Sequence, residues 1–179
     1  TDNWAVVSRG GVMTTGGEPP ISRCSIYGNE AMGDGGGIAC EGSLGLITRC
    51  TISRNYASSG AGGIHISDPL TPLITNTVVS FSSEGAGIEC EDGASPTIYH
   101  CCVFGNAGGD DVCDASPGDN LFADPLFCDP DAGDFTLHSN SPCAPPGATG
   151  CGRIGALPVG CGPVVVKPWS WGKIKGAYR

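Results

Sequence analysis

Short apolar and polar positions alternate along this chain in blocks that return at a nearly fixed interval. Ile21-Ser22-Arg23-Cys24-Ser25-Ile26-Tyr27-Gly28-Asn29 comes back as Ile47-Thr48-Arg49-Cys50-Thr51-Ile52-Ser53-Arg54-Asn55. It returns twice more, as Ile74-Thr75-Asn76-Thr77-Val78-Val79-Ser80-Phe81-Ser82 and as Ile98-Tyr99-His100-Cys101-Cys102-Val103-Phe104-Gly105-Asn106, so the offsets are 26, 27 and 24 residues. A second set keeps step with the first: Gly10-Gly11-Val12, Gly36-Gly37-Ile38, Gly62-Gly63-Ile64, Gly85-Ala86-Gly87-Ile88 and a degenerate Gly108-Gly109-Asp110-Asp111-Val112. Alternation with a period of two is the mark of a strand. Each period therefore predicts two or three short strands separated by glycine-rich turns, and leaves no room for long helices.

A repeat of this length means stacked units. A propeller blade needs about 40 residues and four strands, and leucine-rich repeats need a dense L-x-x-L-x-L run that is missing here. What remains is an all-β solenoid, a parallel β-helix in which each period is one coil and equivalent residues stack about 4.8 Å apart. Ile21, Ile47, Ile74 and Ile98 would form one internal ladder and Ile38, Ile64 and Ile88 another. About four coils are expected within residues 1–119.

The motifs Ile-x-x-Cys-x-Ile-x-x-Asn and Gly-Gly-Ile-x-Cys resemble the right-handed parallel β-helix repeats of secreted bacterial proteins. That superfamily also holds pectate lyases and polygalacturonases. The resemblance covers roughly residues 10–119 and implies a fold more than an activity, because one fold hosts many functions. The segment Leu121-Phe122-Ala123-Asp124-Pro125-Leu126-Phe127-Cys128, continuing to Cys143, resembles the closing element of such proteins. Residues 120–162 are thus expected to cap the last rung, stapled by some of Cys128, Cys143, Cys151 and Cys161. Residues 163–179 are expected to be a linker and a basic aromatic tail; residues 169–179 are similar to short tails after secreted β-helices and could serve sorting or attachment.

Composition refines this picture. Gly and Pro together fill 44 of 179 positions, which the in-register repeat explains as turns rather than disorder. No apolar run approaches the roughly 18 residues needed to cross a bilayer. Residues 1–166 carry five bases against 18 acids, a net of −13, which argues against nucleic acid as a partner. Eleven cysteines without C-x-x-C spacing favour an extracellular, oxidising setting, with at least one thiol unpaired if the chain is the whole molecule. The chain opens Thr1-Asp2-Asn3-Trp4, and because the repeat is under way by Val12 it reads as a fragment of a larger secreted protein.

Candidate chemistry is sparse. Asn29, Asn55 and Asn106 form a ladder best suited to turn hydrogen bonding. Cys24, Cys50 and Cys101, with the pair Cys40 and Cys90, read first as small buried groups, although Cys24 and Cys50 on neighbouring rungs lie within disulfide reach. Asp110 and Asp111 resemble the Gly-Asp-Asp signature of polygalacturonases, whose paired carboxylates act as acid and base. The other motifs of that family, Asn-Thr-Asp, Gly-His-Gly and Arg-Ile-Lys, are missing from the helix body, so the pair reads better as a turn at the last coil. Asp129, Asp131 and Asp134 look like a calcium loop without the frame of an EF-hand, but read first as a carboxylate-rich turn before a strand at Phe135-Thr136-Leu137; calcium is the one cofactor the residues could admit. Arg49 and Arg54 with Glu84, Glu89, Glu91 and Asp92 are ingredients for a lyase, equally explained as solvated charge. His65 is placed by alternation on an outer face, and His100 and His138 suggest nothing specific. Regular Thr-x-Thr rungs, which ice binding would need, do not recur.

The expectation is a non-catalytic extracellular β-helix segment for surface adhesion or polysaccharide contact, with no nucleic acid partner and no membrane span. The alternative is a polysaccharide-degrading hydrolase or lyase whose remaining motifs lie outside this chain.

Overall fold

The computed structural model describes residues 4–5, 10–17, 20–42, 45–69, 71–113, 119–148 and 151–163. The first coil holds β1 (Trp4–Ala5), β2 (Val12–Thr15), β3 (Ile21–Ser22) and β4 (Ser25–Tyr27), and the second holds β5 (Glu30–Ala31), β6 (Ile38–Glu41), β7 (Leu46–Thr48) and β8 (Thr51–Ser53). The third holds β9 (Tyr56–Ala57), β10 (Ala61–Ser67), β11 (Leu73–Thr75) and β12 (Val78–Ser80), and the fourth β13 (Ala86–Cys90), β14 (Thr97–Tyr99) and β15 (Cys102–Phe104). Equivalent strands pair from coil to coil into the sheets β2–β6–β10–β13, β3–β7–β11–β14 and β4–β8–β12–β15, with a short β1–β5–β9 beside them. Every one of these pairings is parallel. The expected all-β parallel β-helix is therefore the fold, and no α-helix occurs among the described residues.

Both expected ladders form. Ile21, Ile47, Ile74 and Ile98 lie opposite one another, as do Val12, Ile38, Ile64 and Ile88. A third ladder, Ile26, Ile52, Val79 and Val103, completes the interior. These residues share one core, and each buried aliphatic side chain contributes about 1.5–3 kcal/mol relative to exposure.

The corners are built from residues in the left-handed region. Arg23, Arg49, Asn76 and His100 occupy the same corner of successive coils with φ between 51° and 54°. Gly28, Arg54, Phe81 and Gly105 do so at the next corner, with φ from 55° to 70°. Left-handed backbone costs a non-glycine residue about 1–2 kcal/mol. Rung-to-rung bonds hold it in place, as in Arg23 N to Thr48 O (3.1 Å) and Arg49 N to Thr75 O (3.1 Å). The Gly-Gly doublets have a different cause: a Cβ on Gly37 would sit 2.7 Å from both Gly63 O and Ile52 Cγ2.

The asparagines act as the sequence expects of a turn ladder. Asn55 Oδ1 accepts from Asn29 N and Asn29 Nδ2 (both 3.0 Å), and Asn55 Nδ2 donates to Ile26 O. At the neighbouring corner the column Cys24, Cys50, Thr77, Cys101 ends in Asn120, whose Oδ1 accepts from Cys101 N (2.9 Å). Cys24 and Cys50 are free thiols, not a disulfide. Cys90, expected as a buried thiol, is instead bridged to Cys113.

A partial fifth rung covers the last coil. Gly109 O accepts from Gly87 N, Leu121 O accepts from Val103 N, and Leu121 N donates to Cys101 O. Val112 and Cys113 pack against the end of the core, and the Cys90–Cys113 disulfide ties that end to β13. The segment after it forms β16 (Phe127–Asp129), β17 (Asp134–His138) and β18 (Val159–Cys161). It lies along the flank, against the outer face of β4–β8–β12–β15. Tyr27 of the first coil packs against Phe135, with the tilted rings 4.7 Å apart. Thr51 of the second accepts from Ala156 N (3.0 Å). Val78 of the third and Cys102 of the fourth join Phe127, Phe135, Leu137 and Ile154 in a second core. Of the four cysteines expected to staple this segment, Cys128 and Cys161 are bridged, while Cys143 and Cys151 are free. The linker and tail from residue 164 onward lie outside the described residues.

Candidate functional site

Asp110 and Asp111 do not face one site. The Asp110 carboxylate accepts from Gly105 N (2.8 Å), Asn106 N (3.0 Å) and Asn106 Nδ2 (2.8 Å). It thereby takes the place above Asn106 that a further asparagine would fill in a longer helix. Asp111 is exposed and lines a shallow cleft with Cys90, Gly93, Ala94 and Cys113.

Asp129, Asp131 and Asp134 are likewise drawn apart. Asp129 Oδ1 caps a single 3₁₀ turn by accepting from Ala132 N (3.2 Å). Asp131 pairs with Arg54 at 2.6 Å. Asp134 Oδ1 accepts from Thr136 N and Thr136 Oγ1, and these bonds hold its carboxyl below the ordinary carboxylate value. Among the described residues the three carboxylates form no common ligand set. The one grouping of three ligand atoms there is Cys128, His138 and Cys161, whose two sulfurs already form a disulfide.

The outer face of β2–β6–β10–β13 gathers more polar groups. Register puts Met13, Ala39, His65 and Glu89 in one column. Thr15, Glu41 and Ser67 form a second, with Glu91 beyond its end, just after β13. His65 is on the outer side, as alternation predicts, but it is only 2% exposed. Its Nδ1 has no hydrogen-bond partner, nor has the buried Oε2 of Glu89 on the next rung. Glu91 Oε2 lies 3.9 Å from His65 Nε2. Two unpartnered buried polar atoms on facing residues are a rare arrangement, of the kind met at sites that take a further group. Arg49 and Arg54, the bases considered beside these glutamates, sit at other corners of the coil, and Asp92 is a left-handed turn residue.

A second constellation was half hidden from sequence. Arg23 and Arg49 line a cleft of about 380 Å³ together with Cys151, Gly152 and Arg153. The equivalence of Arg23 and Arg49 in the repeat was legible, but nothing in the repeat announces that Arg153 folds back beside them.

The buried thiols are poor nucleophiles, since only the thiolate reacts. Burial pushes Cys50 up to about 11 and Cys101 up to about 12. Cys143 is raised further, first by its contact with the Cys102 thiol and then by burial.

A family model described as a right handed beta helix region matches residues 3–123. No curated protein and no solved structure matches the chain.

Proposed function

The chain belongs to the right-handed β-helix family, and from that premise we propose a non-catalytic extracellular segment that contacts polysaccharide along the outer face of β2–β6–β10–β13. One observation carries this reading: that face repeats hydrogen-bonding side chains at the rung spacing, Thr15, Glu41 and Ser67 in one column with Glu89 in the next. A polymer of sugars repeats its hydroxyls as the coils repeat these side chains, and a rigid sheet offers them without an ordering cost. Two disulfides in so cysteine-rich a chain support the extracellular setting. In this reading the segment belongs to a larger secreted protein, and residues 169–179 act as its sorting or attachment signal.

The unpartnered His65 and Glu89 favour a second reading, a polysaccharide hydrolase or lyase of the pectate lyase-like superfamily. One experiment separates the two. The purified chain is mixed, with and without calcium, with plant, algal and bacterial polysaccharides, and both retention and the masses of released products are read. Retention without products, weakened at least fivefold by Glu41→Gln with Glu89→Gln, is the expected result. Products carrying an added water would make it a hydrolase, and unsaturated products a lyase. Neither retention nor release would overturn both readings.

A further inference from the structure

Four basic side chains lie among the described residues: Arg23, Arg49, Arg54 and Arg153. Arg54 is neutralised by Asp131. The other three line one cleft, and none of them forms an ion pair with a described carboxylate. Arg153 donates from Nη2 to Ala156 O (3.2 Å), while its Nε is buried with no hydrogen-bond partner. The arrangement is stiff at its base. Arg23 and Arg49 are fixed one rung apart by the parallel register of β3 with β7, each in a left-handed corner held by a backbone bond to the next coil.

Three cations gathered without a counter-charge repel one another, and burying a guanidinium donor unpaired is costly. The mutual repulsion is relieved when an anion enters. A guanidinium presents a planar fork of N–H donors that matches two oxygens of one group, which a carboxylate or a sulfate supplies. The surrounding chain is acidic, with net −9 overall, so general electrostatics works against anions and this local cluster must account for any binding. We propose that Arg23, Arg49 and Arg153 form an oxyanion-binding site for a carboxylate or sulfate group. It lies at the corner between β3–β7–β11–β14 and β4–β8–β12–β15, separate from the face assigned to polysaccharide contact. The group comes either as a free ion or as a substituent on a polymer.

The test titrates the full chain at low salt with sodium sulfate, dextran sulfate and polygalacturonate, with plain dextran as the uncharged control. Saturable binding of at least one charged probe is expected, with Kd raised tenfold or more by Arg49→Gln and by Arg23→Gln. Arg54→Gln removes the same unit of charge elsewhere and should change Kd less than twofold. Binding of free sulfate would identify a small-ion site, whereas binding of a polymer alone would identify a substituent on a chain. The Arg23 and Arg49 side chains are exposed and bond to no described residue, so their variants should keep the fold. The bound probe should raise Tm of the unaltered chain but not of Arg49→Gln. No saturable binding of any charged probe, or an equal loss with Arg54→Gln, would overturn the proposal. Failure here would leave the polysaccharide-contact face untouched, since retention there is read through Glu41 and Glu89, which do not line the arginine cleft.

Discussion

Asp110 gathers three donors from the corner it closes, and removing it leaves Gly105 N and Asn106 N without their acceptor and Asn106 Nδ2 with Val79 O alone. Hydrogen bonds to a charged acceptor contribute about 1.5–3 kcal/mol each at most, and they do not add fully. Asp110→Ala is therefore expected to lower stability by about 2 kcal/mol in urea unfolding, while Asp111→Asn, exposed and without a fixed partner, should stay within about 0.5 kcal/mol. The Gly-Asp-Asp pattern was legible, but its geometry was not, because adjacent residues outside a helix point in different directions. The thiols add a pH dependence. Cys50 and Cys101 bind their protons more tightly when folded than the ordinary thiol value of 9.0, with folded values near 11 and 12. Their contribution is complete below about pH 9 and is lost as pH rises through 11 to 12. Thermal unfolding should accordingly show Tm falling in that window, less so in Cys50→Ala. At pH 8, alkylation should label the exposed Cys24 well before Cys50 or Cys101.

Strands of two to seven residues have little stability of their own, so the coil is held by what stacks above and below it. Ile64 sits in the middle of its ladder with no exposure, and Ile64→Ala is expected to cost about 2–5 kcal/mol. Gly37→Ala has no room against Gly63 O and Ile52 and should cost about 1–3 kcal/mol through strain. The Cys90–Cys113 disulfide closes a loop of 23 residues at the end of the core, and its double alanine variant should lose about 3 kcal/mol. Chemical denaturation midpoints measure all three. The repeat made the strands and two of the three ladders readable, because buried aliphatic positions dictate residue type. The corners were less readable. Left-handed backbone favours glycine and asparagine in a sequence, whereas Arg23, Arg49, Arg54 and Phe81 hold it here through hydrogen bonds to the next coil, which leave no local signature.

At the scale of the molecule the segment from residue 121 is a flank, and a signal for this was present in the repeat. Along β4 and β8 only Ile26 and Ile52 are aliphatic, as alternation requires of a sheet with one wet face. Along β12 and β15 the neighbours Val78-Val79 and Cys102-Val103 are both apolar, the pattern of strands buried on two sides. The outer residues Ser53, Val78, Ser80 and Cys102 have no exposure, and Thr51 almost none, where residues 121–148 and 151–163 lie along the flank. Sequence reasoning placed that segment over the end of the helix by analogy with other solenoids, while the end is closed by the partial fifth rung. A chain stopped at residue 121 keeps the coils, the Cys90–Cys113 disulfide and the fifth rung, yet uncovers Val78, Phe81 and Cys102 together with Tyr27 on one face. An exposed apolar patch on a sheet is a site of association. The shortened chain is expected to keep its β circular dichroism spectrum, bind ANS and sediment as dimers or larger species, whereas the full chain does neither of the last two. A shortened chain that stays monomeric and dark to ANS would mean that the flank segment is not needed to shield β4–β8–β12–β15.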